Sequence, residues 1–187
     1  MDFFNKSEQS ILLNAENIIV GFSGGVDSTL VLAATNQFLE AHNKKNCLTA
    51  LHVNHQTQSD SSSWQIHCEK FCKEHNINFS CKSVEIKESG QGYEAAARSA
   101  RLDIFNAFDK ASVIILGHHL DDQVETVFFR VLRGTGLKGL TGMQRHIKIK
   151  DKDFIRPLLH LTKEEIFKQA IEYKLSFIED QSNLSLI

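Results

Sequence analysis

The chain has 187 residues, 21 Lys and Arg against 23 Asp and Glu for a net charge of −2, and 42% hydrophobic and 24% charged residues. Such a balance suits one soluble α/β domain with a sizeable core and gives no global sign of a polyanionic partner. No apolar run reaches bilayer length, and Met1-Asp2-Phe3-Phe4-Asn5-Lys6 lacks the basic start and long apolar stretch of a secretory signal, so a cytoplasmic location is expected.

In chain order, Asn17 to Phe22 reads as a buried strand, followed directly by Ser23-Gly24-Gly25-Val26-Asp27-Ser28 and then by a helical pattern from Thr29 to about His42. A strand entering paired glycines, with a helix N-terminus behind them, is a phosphate-binding turn: bare backbone approaches the anion while free N–H groups and the helix dipole point at it. Ser23, Ser28 and Thr29 add hydroxyl donors. Asp27 would repel phosphate unless a divalent cation sits between them, so the turn predicts magnesium-bound nucleotide. A Walker loop is absent from the sequence. Gly134-Thr135-Gly136-Leu137-Lys138-Gly139 matches the dinucleotide pattern by letter, but it follows a predicted helix and lacks the downstream acid, so it is rejected as a Rossmann fingerprint.

Next come a strand from Cys47 to Val53, a helix from Asp60 to His75, a strand from Phe79 to Ile86, an alanine-rich helix from Tyr93 to Phe108, a short strand Val113 to Leu116 and a helix from about Leu120 to Leu132. Ile147 to Ile149 reads as an edge strand, and Thr162-Lys163-Glu164-Glu165 announces a last helix through a capping box. The alternation predicts a doubly wound α/β fold with a parallel sheet, Rossmann-like, and a short C-terminal α extension. Ligands bind such sheets outside the carboxyl ends of the strands. One mouth would then collect Ser23-Gly24-Gly25, His52-Val53-Asn54-His55 and Gly117-His118-His119.

On a helical reading of residues 118–126, His118, Asp121, Asp122 and Glu125 share one face, and Leu120, Val124, Val127, Phe128 and Val131 form an apolar stripe expected to pack on the sheet. The carboxylates either cap their own helix or form a convergent polar cluster beside the phosphate turn, where oxygen ligands suit magnesium better than zinc. Arg98 and Arg101 project on nearly one side of their helix, toward phosphate or into a salt bridge with Glu94. Arg130, Arg133, Lys138, Arg145, Lys148 and Lys150 occur with no acid between Thr126 and Lys150, either as a positive surface or as solvated charge. Cys47, Cys68, Cys72 and Cys81 contain no Cys-x2-Cys pair, and buried reduced thiols are the expected reading over a metal or redox site.

Residues 23–28 resemble the PP-loop of the N-type ATP pyrophosphatases, which cleave ATP between its α and β phosphates. The ordered set His52-Val53-Asn54-His55, Glu94 to Arg101, His118 to Thr126, Arg133 to Met143, Arg156-Pro157-Leu158-Leu159 and Glu179 to Asn183 resembles the tRNA(Ile)-lysidine synthetase family. The resemblance implies the adenine nucleotide alpha hydrolase type of fold, with an ATP-binding catalytic domain over residues 1–145. It further implies an extension of that domain over 146–187 that stops before the tRNA-gripping domains. The implied reaction adenylates C2 oxygen of the wobble cytidine of a CAU-anticodon tRNA(Ile) with Mg-ATP; the ε-amine of free L-lysine then displaces AMP to give lysidine. Residues 23–28, His52, His55 and His118 would hold nucleotide, Asp27 and Asp122 magnesium, and Asp27, Arg98, Asp122 and Glu125 would carry the chemistry. The Gly-rich basic stretch after Arg133 would form a rim for RNA and lysine. Gln56 follows His55 where the family usually has glycine. Alternatives are another PP-loop tRNA-modifying enzyme such as a thiolase, and a nucleotide-binding module without chemistry; a homodimer stays open.

Overall fold

The structure is a computed structural model that describes residues 3–54, 61–83, 104–105, 108, 112–134, 136 and 140–179. Six strands form one sheet in the order β3-β2-β1-β4-β6-β5. Their ranges are β1 (Asn17–Gly21), β2 (Leu48–Asn54), β3 (Asn78–Ser83), β4 (Ser112–Ile115), β5 (His146–Ile149) and β6 (Lys152–Ile155). All neighbours run parallel except β5 against β6. Chain order reverses between β1 and β4, which opens a crevice at their carboxyl ends.

The described helices are α1 (Lys6–Asn14), α2 (Val26–Ala41), α3 (Ser61–Glu74), α4 (Leu120–Leu132) and α5 (Lys163–Glu172). Alternating side chains of β1 feed two cores. Ile18 and Val20 join Leu30, Leu32 and Leu39 of α2, Cys68 and Phe71 of α3, and Ile166 of α5. Ile19 faces the other way, with Leu51, Ile114, Phe154 and Phe105. Residues buried on both faces are why β1 and β4 read as continuous apolar runs.

The expected doubly wound fold is present, with strand and helix bounds within a few residues of the sequence reading where both can be compared. Most of the Tyr93 to Phe108 helix, with Glu94, Arg98 and Arg101, lies outside the described residues, as do His55, Lys138 and Asp180 to Asn183. Two elements went unread. β6 begins with Lys152 and Asp153, and its hairpin from β5 turns through Lys150 and Asp151 at φ 47° and 65° without the Asn-Gly pair that usually signals such a turn. α1 is announced by a capping box in which Glu8 N–H donates to Asn5 Oδ1 and Asn5 N–H to Glu8 Oε2, both at 2.9 Å. Glu8 is buried and also accepts Arg145 Nε at 2.7 Å and Nη2 at 3.0 Å. Arg145 is thereby a structural tie to α1. Arg130 likewise donates from Nη1 to the Gly142 carbonyl at 2.9 Å, so these two members of the basic stretch are engaged inside the fold.

Candidate functional site

The turn after β1 is built by its own hydroxyls. Ser28 Oγ donates to the Gly25 carbonyl at 3.0 Å and accepts both Ser23 N–H at 3.2 Å and the Ser23 hydroxyl at 3.0 Å. Thr29 Oγ1 donates to the same carbonyl at 2.9 Å, one turn back along α2. Gly24 has φ +91°, and a Cβ there would stand 3.0 Å from Cys68 Sγ, so both conformation and space demand glycine. Gly25 is the N-cap of α2 and brings no side-chain bond to the helix end, leaving its first N–H groups open to an anion. From the far end of the chain, Ile178 N–H donates to the Gly24 carbonyl at 2.9 Å and fixes the outer peptide of the turn.

His52 is buried at the end of β2, its ring 6.3 Å from that of Phe79. Its Nδ1 lies 2.9 Å from the Phe22 carbonyl. A carbonyl only accepts, so Nδ1 carries the hydrogen and Nε2 is the acceptor. Burial pushes the imidazole pKa down, partly offset by that bond. His52 thus braces the residue entering the turn.

The second wall follows β4. A Cβ on Gly117 would meet the Asp27 carbonyl carbon and oxygen at 3.1 Å and Ser28 N at 3.2 Å, which means that this loop lies backbone to backbone on the first turn of α2. α4 begins at Leu120 with His119 as N-cap, so His118 precedes the helix and helical spacing does not carry it onto the carboxylate face. The histidine in the cluster is His119. It is 7% exposed, with Nε2 at 3.7 Å from Asp27 Oδ1 and 3.6 Å from Asp122 Oδ2, and Nδ1 at 3.4 Å from Asp121 Oδ2. The sequence reading brings His119 to the mouth with His118 but gives the carboxylate face to His118; the position one residue before the helix is the signal that points to His119.

The carboxylates divide their work. Asp122 Oδ2 accepts His119 N–H at 2.8 Å, and Asp121 Oδ2 accepts the backbone N–H of Lys163 at 2.8 Å, tying the starts of α4 and α5 together. Asp122 therefore does the capping of its own helix that the simpler sequence reading gave it and also faces the crevice, whereas Asp121 serves the start of α5. Glu125 lies one turn farther along, exposed. His118 is half-buried in the loop beside it. Asp27 Oδ1 is buried with no hydrogen-bond partner. Burial pushes the Asp27 carboxyl above the usual carboxylate range, His119 and Lys163 pull it down, and Asp122 pushes it up again.

Such an unserved oxygen fits a cation. Among the described residues no group of three or more His, Cys, Asp or Glu side chains is arranged to hold a metal ion. Magnesium commonly takes one or two carboxylates and fills its remaining positions with substrate phosphates and water, and Asp27 and Asp122 would be such a pair.

α4 itself departs from expectation. None of its residues is buried, and Val124, Phe128, Phe129, Val131 and Leu132 are 51–66% exposed. The apolar stripe does not pack on the sheet; polar bonds hold the helix instead. Leu120 N–H donates to Leu161 O, and the Gln123 amide both donates to Met143 O at 2.9 Å and accepts Met143 N–H at 2.6 Å. The four cysteines are free; Cys68 and Cys72 are buried as expected, and burial drives both thiols up to about 12, whereas Cys47 and Cys81 are only partly buried. No described helix is long and apolar enough to cross a membrane.

The PP-loop domain family matches residues 2–186. The tRNA(Ile)-lysidine synthase of Legionella pneumophila (strain Paris) is 40% identical over 172 residues, 90% of this chain and 38% of that protein. The protein of the same name from Francisella philomiragia subsp. philomiragia is 36% identical over 170 residues, 89% and 41% of the two chains. The chain thus spans about two fifths of the length of these relatives. The solved U34-tRNA thiolase NcsA from Methanococcus maripaludis superposes with TM-score 0.70 at 20% identity, covering 94% of this chain and 62% of that one, a likeness of fold.

Proposed function

Because this chain belongs to the PP-loop family, we propose that it binds Mg-ATP at the turn 23–28 and ligates lysine to C2 of the wobble cytidine in a CAU-anticodon tRNA(Ile). The products are lysidine, AMP and diphosphate. The observation that carries the reading is the contact of two loops at the β1/β4 crevice: Gly117 lies on the Asp27–Ser28 peptide, and His119 brings Asp27 within reach of Asp122. The names of the relatives supply the substrate class.

In this reading the open N–H groups of α2 and the Ser23 hydroxyl bind the ATP phosphates. Asp27 and Asp122 would hold magnesium, which neutralises charge on the phosphates. The cytidine O2 attacks the α-phosphorus and the bond to the β-phosphate oxygen breaks, releasing diphosphate. The lysine ε-amine then attacks C2, loses a proton, and AMP departs with the original oxygen. Lysine's ordinary pKa is about 10.4, so the amine needs an acceptor for that proton, and Asp122 or the exposed Glu125 supplies one. Arg98, outside the described residues, is assigned to phosphate or tRNA backbone charge, and His55 and His118 to the nucleotide. The partners in this scheme are the tRNA, free L-lysine and ATP, in the cytoplasm.

A thiolase reading finds no support in the thiols. The paired cysteines that would hold a cluster are missing, since the sequence contains no Cys-x2-Cys. The test is ATP-dependent transfer of labelled lysine to an unmodified isoleucine tRNA transcript with a CAU anticodon, with AMP release followed in parallel. Transfer is the expected result; ATP cleavage without lysine transfer, in this chain and in one extended at its C-terminus, would sink the lysine assignment.

A further inference from the structure

The crevice contains one buried side chain that the proposed chemistry leaves without a task. His119 is more than nine-tenths buried, and its Nδ1 has no hydrogen-bond partner within bonding distance. Its ring stands between groups from two separate elements: Asp27 of α2 at 3.7 Å from Nε2, Asp122 of α4 at 3.6 Å from the same nitrogen, and Asp121 at 3.4 Å from Nδ1. Two carboxylates facing each other across a crevice repel, and Asp122 does raise the cost of ionising Asp27. The imidazole Nε2 stands between them within ion-pairing distance of both, beside an Asp27 Oδ1 that is buried and makes no hydrogen bond. The groups around the ring are held in turn, since Asp122 accepts the His119 backbone N–H and Asp121 accepts the Lys163 N–H at the start of α5.

We propose that His119 is a positioning residue that holds Asp27 and Asp122 convergent across the α2–α4 crevice, so that the cation of the nucleotide meets a preassembled carboxylate pair. This rests on the Mg-ATP reading and adds to it how the pair is kept together. The nitrogen that matters is Nε2, which faces both members of the pair, whereas Nδ1 faces Asp121 at the α5 anchor. Removing such an outer support of a metal site costs about ten- to a hundredfold in metal affinity.

The test is calorimetric titration of the whole chain with an ATP analogue that resists cleavage between α and β phosphates, in Mg2+ and in EDTA, for the wild type and for His119→Ala, His119→Gln and His119→Asn. A glutamine amide places its N–H near the Nε2 position and an asparagine amide near Nδ1. The expected pattern is a loss of about ten- to a hundredfold in the Mg2+ arm for Ala and Asn, recovery of most of it by Gln, and little change in EDTA. Equal Mg2+-dependent affinity in Ala and wild type would overturn the proposal. Equal losses in Gln and Asn, matched in EDTA and by lowered melting temperatures, would overturn it in favour of a purely structural histidine. Should Ala fail to fold, the Gln–Asn contrast decides, and equal affinities in the two would again overturn it. Failure of the wild type to bind in the Mg2+ arm is a different result, which removes the nucleotide reading and this proposal together.

Discussion

α2 and α4 leave the same crevice from neighbouring parallel strands, yet they are held in opposite ways. α2 buries nine residues, Leu30, Val31 and Leu32 among them, and is apolar around most of its circumference. α4 buries none, and Gln123, Arg130 and the Leu120 N–H fasten it through backbone carbonyls and amides. The helix whose N-terminus would grip phosphate is thus anchored by burial. The helix that carries Asp122 and Glu125 is pinned by a few directional bonds. A helix's sequence says that an apolar face exists, not what lies against it, and α4 shows the two to be separable.

The largest effect expected from testing this contrast is in α2. Leu32 is fully buried, so Leu32→Ala should cost about 2–5 kcal/mol, read as a lowered urea midpoint at unchanged slope; a smaller loss than at Phe128 would reverse the comparison. Gly117→Ala comes next, because its Cβ would meet only backbone of Asp27 and Ser28, which has little room to yield. Overpacking of this kind costs about 1–3 kcal/mol, and nucleotide affinity by calorimetry should fall further than stability, since the two walls of the crevice are driven apart.

His52 should produce a pH effect of known sign. Burial lowers its folded pKa below the unfolded value of 6.5, so the unfolded chain takes up the proton first as pH falls. Its contribution is present above about pH 6.5 and is lost progressively below it. His52→Asn, which keeps a donor for the Phe22 carbonyl, should lose less stability than wild type between pH 7.5 and 5.5 in urea titrations; parallel losses would remove His52 as the source. The smallest effect belongs to α4: Phe128→Ser, at a residue 60% exposed, should change stability by no more than about 0.5 kcal/mol, and a drop like that of Leu32→Ala would show that its face is covered in solution.

The sheet, the crevice and the phosphate turn were legible because they rest on strong local signals: apolar runs of strand length, paired glycines, and helix starts with acids in the first turn. α4 was bounded correctly from its periodicity, while its packing was not, since exposure depends on neighbours far along the chain. β6 was hidden by Lys152 and Asp153, and α1 by a mostly polar sequence whose two buried residues are Leu12 and the charged Glu8. In the site, Asp27 and Asp122 could be read from residue type. His119 displaced His118 in the cluster because one residue's shift at a helix start changes which side chain enters the crevice, and spacing alone does not fix where a helix begins.

The bond from Ile178 to Gly24 also has a meaning in time. During synthesis, β1 and the first turns of α2 emerge early, but the carbonyl of Gly24 waits for Ile178, which is made after every strand of the sheet and after α5. Helix and strand pairings formed on the way can assemble a platform; the anion cradle is finished only when residues beyond α5 leave the ribosome. In a nascent chain this peptide of the turn would therefore gain its last tether only after α5 and the residues up to Ile178 have been made.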